Sequence, residues 1–161
     1  MKTAYIALLI GSFLAFLPGC GGCSCEKKRG LVLVNVLDKE LYQDCRIKGS
    51  INVPFDMIET LADQVDKDEA EIVVYCSNYQ CASSEYAARK LKKKGFKVAV
   101  YEGGMAEWYQ QGLPVEGPQM QAYLKKSCTP MVLENDSEIP IITVDELAQK
   151  MGIAKEKKGA A

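Results

Sequence analysis

The segment EIVVYCSNYQCASSEYAARKLKKKGFKVAVYEGG, residues 71–104, carries the strongest structural pattern in this chain. An apolar run ends at Cys76, and a polar loop then leads into a helix-like segment that stops at Gly95. A second apolar run follows and breaks at Gly103–Gly104. Strand, helix and strand in this order predict two parallel strands joined by a helix. Near-continuous apolar strands are typical of a sheet covered on both faces.

The same alternation extends outward from this stretch. LVLVNVL (31–37) predicts another buried strand, and SINVP predicts a short strand that ends at Pro54. Asp56 is predicted to cap a helix that runs through Val65, and MAEWYQQG predicts a short helix after the last strand. Ligands of parallel α/β sheets gather beyond the carboxyl ends of the strands. Cys76 lies at such an end and is therefore the first candidate for chemistry.

Composition excludes several kinds of function. The 161 residues carry a formal net charge of −1, and no basic face interleaved with aromatic residues is apparent, so we expect no nucleic-acid partner. The chain contains no histidine, the commonest general base and zinc ligand. Cys23 and Cys25 are spaced too closely for a typical zinc site. We therefore predict neither a metal nor a cofactor.

The amino-terminal residues predict export. Lys2 precedes an uncharged run, 4–17, which is shorter than the ~20 apolar residues of a membrane-spanning helix. This pattern predicts a secretory signal peptide over residues 1–19. LPGC (17–20) resembles the lipobox of bacterial lipoproteins, which implies lipidation of Cys20, a membrane anchor and a periplasm-facing location. The alternative is an ordinary signal peptide and a soluble periplasmic protein.

The cysteines leave disulfide pairing open. Seven cysteines in an exported chain suggest disulfides, and six remain once a lipidated Cys20 is set aside. Cys45 and Cys128 could pair with each other or with the Cys/Gly tether of residues 20–30. Cys76 and Cys81 are five residues apart in one loop, where a metal site, a disulfide, a redox pair or a nucleophile are all chemically reasonable. Free amides at a helix start favour an anion, so we expect the pKa of Cys76 to lie below the free value of about 8.5.

Three segments resemble the rhodanese-like domains, in the family's order and at its separations. They are LVNVLDKELYQDCRIKGSINVP, then VVYC with its loop and helix, then GFKVAVYEGGMAEWYQQGLPV. The resemblance runs from about Leu31 to Glu116 and implies a single α/β domain, with a parallel sheet flanked by helices on both faces. It further implies that Cys76 takes sulfane sulfur from a small donor as a persulfide. The sulfur would pass to a thiol acceptor, a protein thiol included. The anion would be held by the loop residues Ser77, Asn78, Tyr79, Gln80 and Cys81.

The departures from the family pattern point to altered chemistry. Tyr79 and Cys81 stand where the family's loop has glycine and arginine, and Arg46 replaces a histidine. Loss of the arginine weakens the hold on a doubly charged donor such as thiosulfate. Cys81 instead predicts a resolving thiol, with an inert disulfide as the alternative. The function predicted is a sulfurtransferase or thiol-redox protein. The alternatives are a non-catalytic binding module and a disulfide-stabilised structural lipoprotein.

The remaining segments complete the domain plan. Residues 31–117 are predicted to form the rhodanese-like domain, 118–138 a connector and 154–161 a disordered tail. Residues 139–153 read as a strand and a helix with a Thr143–Glu146 capping box. We expect them to dock on the domain as a permuted first strand and helix; the alternative is a separate amphipathic tail. Trp108 is predicted to lie in the core or beneath the loop, and Arg46 to form a surface ion pair.

Overall fold

The computed structural model describes residues 30–126 and 139–153. The predicted signal peptide, Cys20, the tail and Cys128 lie outside the described residues. Within these ranges, no helix is long and apolar enough to cross a membrane.

A parallel four-stranded sheet forms the centre of the described fold. The strands are β1 (Gly30–Asn35), β2 (Arg46–Ile47), β3 (Ile51–Asn52), β4 (Ala70–Tyr75), β5 (Lys97–Tyr101) and β6 (Val115–Glu116). The order in the four-stranded sheet is β3-β1-β4-β5. The helices are α1 (Lys39–Asp44), α2 (Ser83–Lys93), α3 (Gly104–Gln110) and α4 (Val144–Lys150), with 3₁₀ helices at Phe55–Asp63 and Ala122–Lys125. β2 and β6 pair with each other in an antiparallel ribbon.

Each face of the sheet is buried by helices, as expected from the continuous apolar strands. Along β4, Ile72 and Val74 face one core and Val73 and Tyr75 face the other. The first core includes the 3₁₀ helix Phe55–Asp63 and α2, and the second includes α3 and α4. The chain therefore has the predicted α/β fold, a parallel sheet with helices on both faces.

Residues 139–153 lie against the free edge of β5. The Val100 amide donates to the Pro140 carbonyl at 2.8 Å, and the Ile142 amide donates to the Val100 carbonyl at 2.9 Å. Ile141 and Val100 thereby form a parallel bridge. α4 buries Leu147 in the second core and begins with the predicted capping box, which is confirmed at Thr143 and Glu146.

One local prediction was wrong, and two elements were not predicted. The segment predicted to begin with a cap at Asp56 is a 3₁₀ helix that starts at Phe55 and has Pro54 at its N-cap, so Asp56 lies inside the first turn. Proline fixes the backbone dihedral suited to that position and leaves no side-chain cap. α1 and the β2–β6 ribbon were not predicted at all.

Candidate active site: a buried thiol beside a half-exposed thiol

Cys76 lies directly after β4, at the carboxyl edge of the sheet. It continues the alternation of β4, so its side chain points into the first core, where it has no solvent exposure. The chain then forms a loop and enters α2 at Ser83. The strand thus fixes the first thiol, and the loop and helix surround it.

The environment of the Cys76 sulfur favours the protonated thiol. Its Sγ lies 3.0 Å from the Cys81 carbonyl oxygen and 3.3 Å from the Ser84 hydroxyl. A hydrogen bond from Cys76 to the Cys81 side chain and then burial raise the pKa of Cys76 well above its ordinary value, although Ser84 opposes the shift. The predicted lowering of the Cys76 pKa is therefore wrong. The sulfur faces groups that accept its proton, and burial penalises the charged form.

The groups around the Cys81 sulfur favour the ionised thiolate instead. The hydrogen bond from Cys76 is the largest of several that lower the pKa of Cys81 to about 5, against the effect of burial. The Ser83 hydroxyl and the backbone amides of Ser83 and Ser77 also donate to its sulfur. Cys81 is half-buried and free of a disulfide. The Cys76 thiol, followed by Ser83 and the Ser77 amide, thus favours a thiolate at the second cysteine.

The predicted anion-holding residues divide into two groups. Ser77 contributes its amide to the Cys81 sulfur. The amides of Gln80 and Cys81 instead turn back to Asn78, donating to its side-chain oxygen at 3.1 Å and to its carbonyl at 3.0 Å. The loop is therefore organised around Asn78, and two of its amides are used internally.

The start of α3 holds the thiol loop against the domain. The Met105 and Ala106 amides donate to the carbonyls of Cys76 and Ser77 at 3.0 and 2.9 Å. Gly104 has a φ of +58°, and a Cβ there would lie 2.5 Å from the Cys76 carbonyl oxygen and 2.8 Å from the Asn78 nitrogen. Only glycine fits this close approach of two backbone segments.

Sequence reasoning missed Ser84 and Glu107. Ser84 is the polar member of the buried face of α2, and that position was the available signal. Glu107 accepts hydrogen bonds from the hydroxyls of Tyr79 at 3.0 Å and Tyr101 at 2.8 Å, which ties the middle of the loop to α3. No sequence spacing identifies that link.

A cavity of about 150 Å³ opens beside the second thiol. Its wall includes Cys81, Tyr79 and Val100 and two acidic side chains, Glu85 and Glu102. Cys76 is not part of this wall. A molecule in the cavity would therefore meet the Cys81 side of the thiol pair.

The other predicted residues lie away from the cavity. Trp108 is fully buried and packs edge-on against Tyr101 with ring centres 6.1 Å apart, so its core placement is confirmed. Arg46 forms the predicted ion pair, 2.9 Å from Glu116. Cys45 is a buried free thiol. No group of three or more potential metal-ligating side chains occurs in residues 30–126 and 139–153.

Comparison with known proteins identifies the class to which this fold and loop belong. The family model of the rhodanese-like domain matches residues 25–111, more than half of the chain. The chain belongs to the rhodanese-like domain family.

Three relatives illustrate the match. The chain is 36% identical over 88 residues to an HTH-type transcriptional regulator of Mycobacterium tuberculosis, covering 53% of this chain and 38% of that protein. It is 30% identical over 84 residues to a putative sulfur carrier protein of Bacillus subtilis, covering 52% and 44%. A crystal structure of a Bacillus halodurans protein superimposes with a TM-score of 0.53 at 33% identity, covering 56% and 66%. The chain thus spans less than half of either curated relative.

Proposed function

We propose that this chain transfers sulfane sulfur through the Cys76–Cys81 thiol pair, with Cys81 as the thiol that meets the substrate. The observation that carries the proposal is the difference between the two sulfurs. Cys81 borders the cavity and has a pKa of about 5, whereas Cys76 is buried and donates its proton toward Cys81. The family and the description of the Bacillus subtilis relative as a putative sulfur carrier support sulfur as the group transferred.

The first step is attack by the Cys81 thiolate on the outer sulfur of a persulfide donor, R–S–SH. The Cys81 S–S bond forms, the donor's S–S bond breaks, and the products are Cys81–S–SH and R–S⁻. A thiolate is the reactive form of cysteine, and the hydrogen bonds to the Cys81 sulfur favour that form. Because Cys76 remains protonated, it does not compete for the donor.

The persulfide then has two possible outcomes: one regenerates the thiol pair, and the other oxidises it to a disulfide. An acceptor thiolate R′–S⁻ attacks the outer sulfur, giving R′–S–SH and the Cys81 thiolate. Without an acceptor, the Cys76 thiol attacks the inner sulfur, giving a Cys76–Cys81 disulfide and H₂S. In that second path the sulfane sulfur is reduced and the two cysteines are oxidised, and two equivalents of an external thiol restore the pair.

The resemblance to the family assigns the persulfide to Cys76, and the two assignments have different consequences. The full chain is treated with a small alkyl persulfide, and the mass of the tryptic peptide of residues 68–89 is followed, since it contains these two cysteines and no others. We expect Cys81→Ala to gain no sulfur. We expect Cys76→Ala to keep one added sulfur longer than wild type, with no release of H₂S.

Cys45→Ala is the matched control, because it removes a buried thiol outside the loop. Loading that persists in Cys81→Ala and vanishes in Cys76→Ala would reverse the two roles while preserving sulfur transfer. No gain of mass in wild type would overturn sulfur transfer and favour a non-catalytic binding module.

Export and lipid attachment at Cys20 are proposed from the sequence pattern alone. The uncharged run 4–17 and the lipobox-like LPGC support them. In a bacterial host, wild-type chain should incorporate labelled fatty acid and sediment with membranes, whereas Cys20→Ala should not incorporate it. Equal labelling of both would contradict lipidation at Cys20.

A further inference from the structure

The cavity beside Cys81 has two acidic residues in its wall. Glu85 and Glu102 both line it, and no lysine or arginine does so. The pKa of Glu102 is raised, first by burial and then by repulsion from Glu85. The two carboxyls are therefore close enough to interact. Cys81 adds a third negative charge when it is ionised.

The two carboxylates do not contribute equally. Glu85 accepts hydrogen bonds from Arg89 at 2.7 and 3.2 Å in an exposed i,i+4 pair, which offsets part of its charge. Among the residues that the structure describes, Glu102 has no such cationic partner within 4.0 Å. Glu102 follows β5, on the wall that faces the thiol loop. It is therefore the main uncompensated charge of the cavity.

The geometry points to a substrate class: the cavity selects cationic sulfur donors and acceptors, such as a persulfide or thiol that carries an ammonium group, over anionic ones. This inference rests on the proposed sulfur transfer by the Cys76–Cys81 thiol pair. Opposite charges within a few ångströms attract and like charges repel, most strongly where solvent is partly excluded. A cysteine flanked by lysine or arginine in a peptide has the same chemistry.

The test uses three persulfides of similar size and different charge, prepared from cysteamine, 2-mercaptoethanol and 3-mercaptopropionate. Sulfur loading of the tryptic peptide of residues 68–89 is timed for the full wild-type chain and for Glu102→Gln. Each donor's rate with wild type is divided by its rate with the variant, so that the donor's own reactivity cancels. We expect a ratio of about 5 for the cation, about 1 for the neutral donor and about 0.2 for the anion.

Asp63→Asn is the matched control, since it removes one exposed carboxylate at the end of the 3₁₀ helix Phe55–Asp63, away from the cavity wall. Its ratios should be about 1 for all three donors. The Glu102 ratios should approach 1 in ~1 M salt, where screening acts over about 3 Å.

Charge selection by the cavity and sulfur transfer by the thiol pair would fail with different results. Loading with all three donors, with Glu102→Gln ratios of about 1 at low salt, would overturn the charge selection and leave sulfur transfer intact. A ratio above 1 for the anion would overturn it as well. Absence of loading with every donor would instead overturn the proposed function.

Discussion

The thiol loop and the α1–β2 corner each bury a cysteine completely, yet they provide opposite settings for chemistry. Cys45 lies in the second core, where burial and then the nearby Asp44 raise its pKa to about 11. Cys76 lies in the first core and its pKa is raised too. Burial therefore disfavours the thiolate form of both cysteines.

The difference lies in the neighbours. Cys76 donates its proton to a second sulfur, and that sulfur receives further hydrogen bonds and borders a cavity. Cys45 has Asp44 and Arg46 as its charged neighbours, and the described structure gives it no partner thiol. A buried cysteine can thus stabilise a neighbouring thiolate through the proton that it donates. Five predictions test this comparison.

The largest effect is expected where the thiol loop meets α3. Gly104→Ala places a Cβ against the backbone of the loop at a positive φ, so the loop must move. We expect a loss of at least about 3 kcal/mol in the free energy of unfolding and loss of the low Cys81 pKa. Gly112→Ala is the control, because its φ is +70° and nothing lies within 4 Å; it should cost about 1 kcal/mol. Equal costs would show that the close approach is unimportant. Urea denaturation measures both.

The reactivity of Cys81 should set the two regions apart at low pH. Its pKa of about 5 predicts an alkylation rate that rises with a midpoint near pH 5 and levels off above about pH 6. At pH 6 it should react about tenfold faster than free cysteine, after allowance for the lower nucleophilicity of a low-pKa thiolate. Cys45 should remain unmodified in the folded chain.

Replacement of Cys76 tests which groups lower the pKa of Cys81. Cys76→Ala removes the hydrogen bond that contributes most to the low pKa of Cys81, so the midpoint of its alkylation profile should rise. An unchanged midpoint would mean that the loop amides alone hold the thiolate. Iodoacetamide labelling with peptide mapping gives both profiles.

Cys45→Ala should affect stability and leave the chemistry intact. Loss of a fully buried sulfur from the second core should cost about 1 kcal/mol. The alkylation midpoint of Cys81 should be unchanged, because Cys45 lies in the other core and is not among the groups that shift the Cys81 pKa. A shift of that midpoint, measured alongside thermal unfolding, would show that the two regions are coupled.

The smallest effect is expected from the tyrosine link to Glu107. Tyr79→Phe removes the hydrogen bond between the loop and α3 and should cost about 1 kcal/mol or less. Tyr101→Phe removes the matching bond from β5 and serves as the control. Only the loop variant should alter the alkylation rate of Cys81 at pH 6. Identical alkylation rates in the two variants would assign Glu107 a role in packing alone.

The parts of the fold predicted from the sequence are those with long apolar patterns. β1, β4, β5 and α2 carry continuous or periodic apolar residues, and their existence followed from local sequence. α1 was missed because none of its six residues is buried, so it has no apolar period to detect. The β2–β6 ribbon was missed because it depends on pairing between residues 70 positions apart, Arg46 and Glu116.

The candidate site likewise has features that follow from the sequence and features that do not. The position of Cys76 at a strand end and the presence of a second thiol follow from the sequence. The direction of the Cys76 pKa does not, because it depends on which loop groups face the sulfur. Asn78 draws two amides inward and the Cys81 carbonyl lies 3.0 Å from Sγ, and no residue pattern encodes that orientation.

The pairing of residues 140–142 with Val100 also has a consequence for solubility. Without that segment, β5 would present an uncovered strand edge with apolar residues such as Val98 and Val100, and uncovered edges of this kind recruit strands from other molecules. α4 strengthens the cover through the ion pair of Lys150 with Glu71 at 3.0 Å. Residues 140–142 and α4 therefore cover a sheet edge that would otherwise be open to strand addition from another molecule.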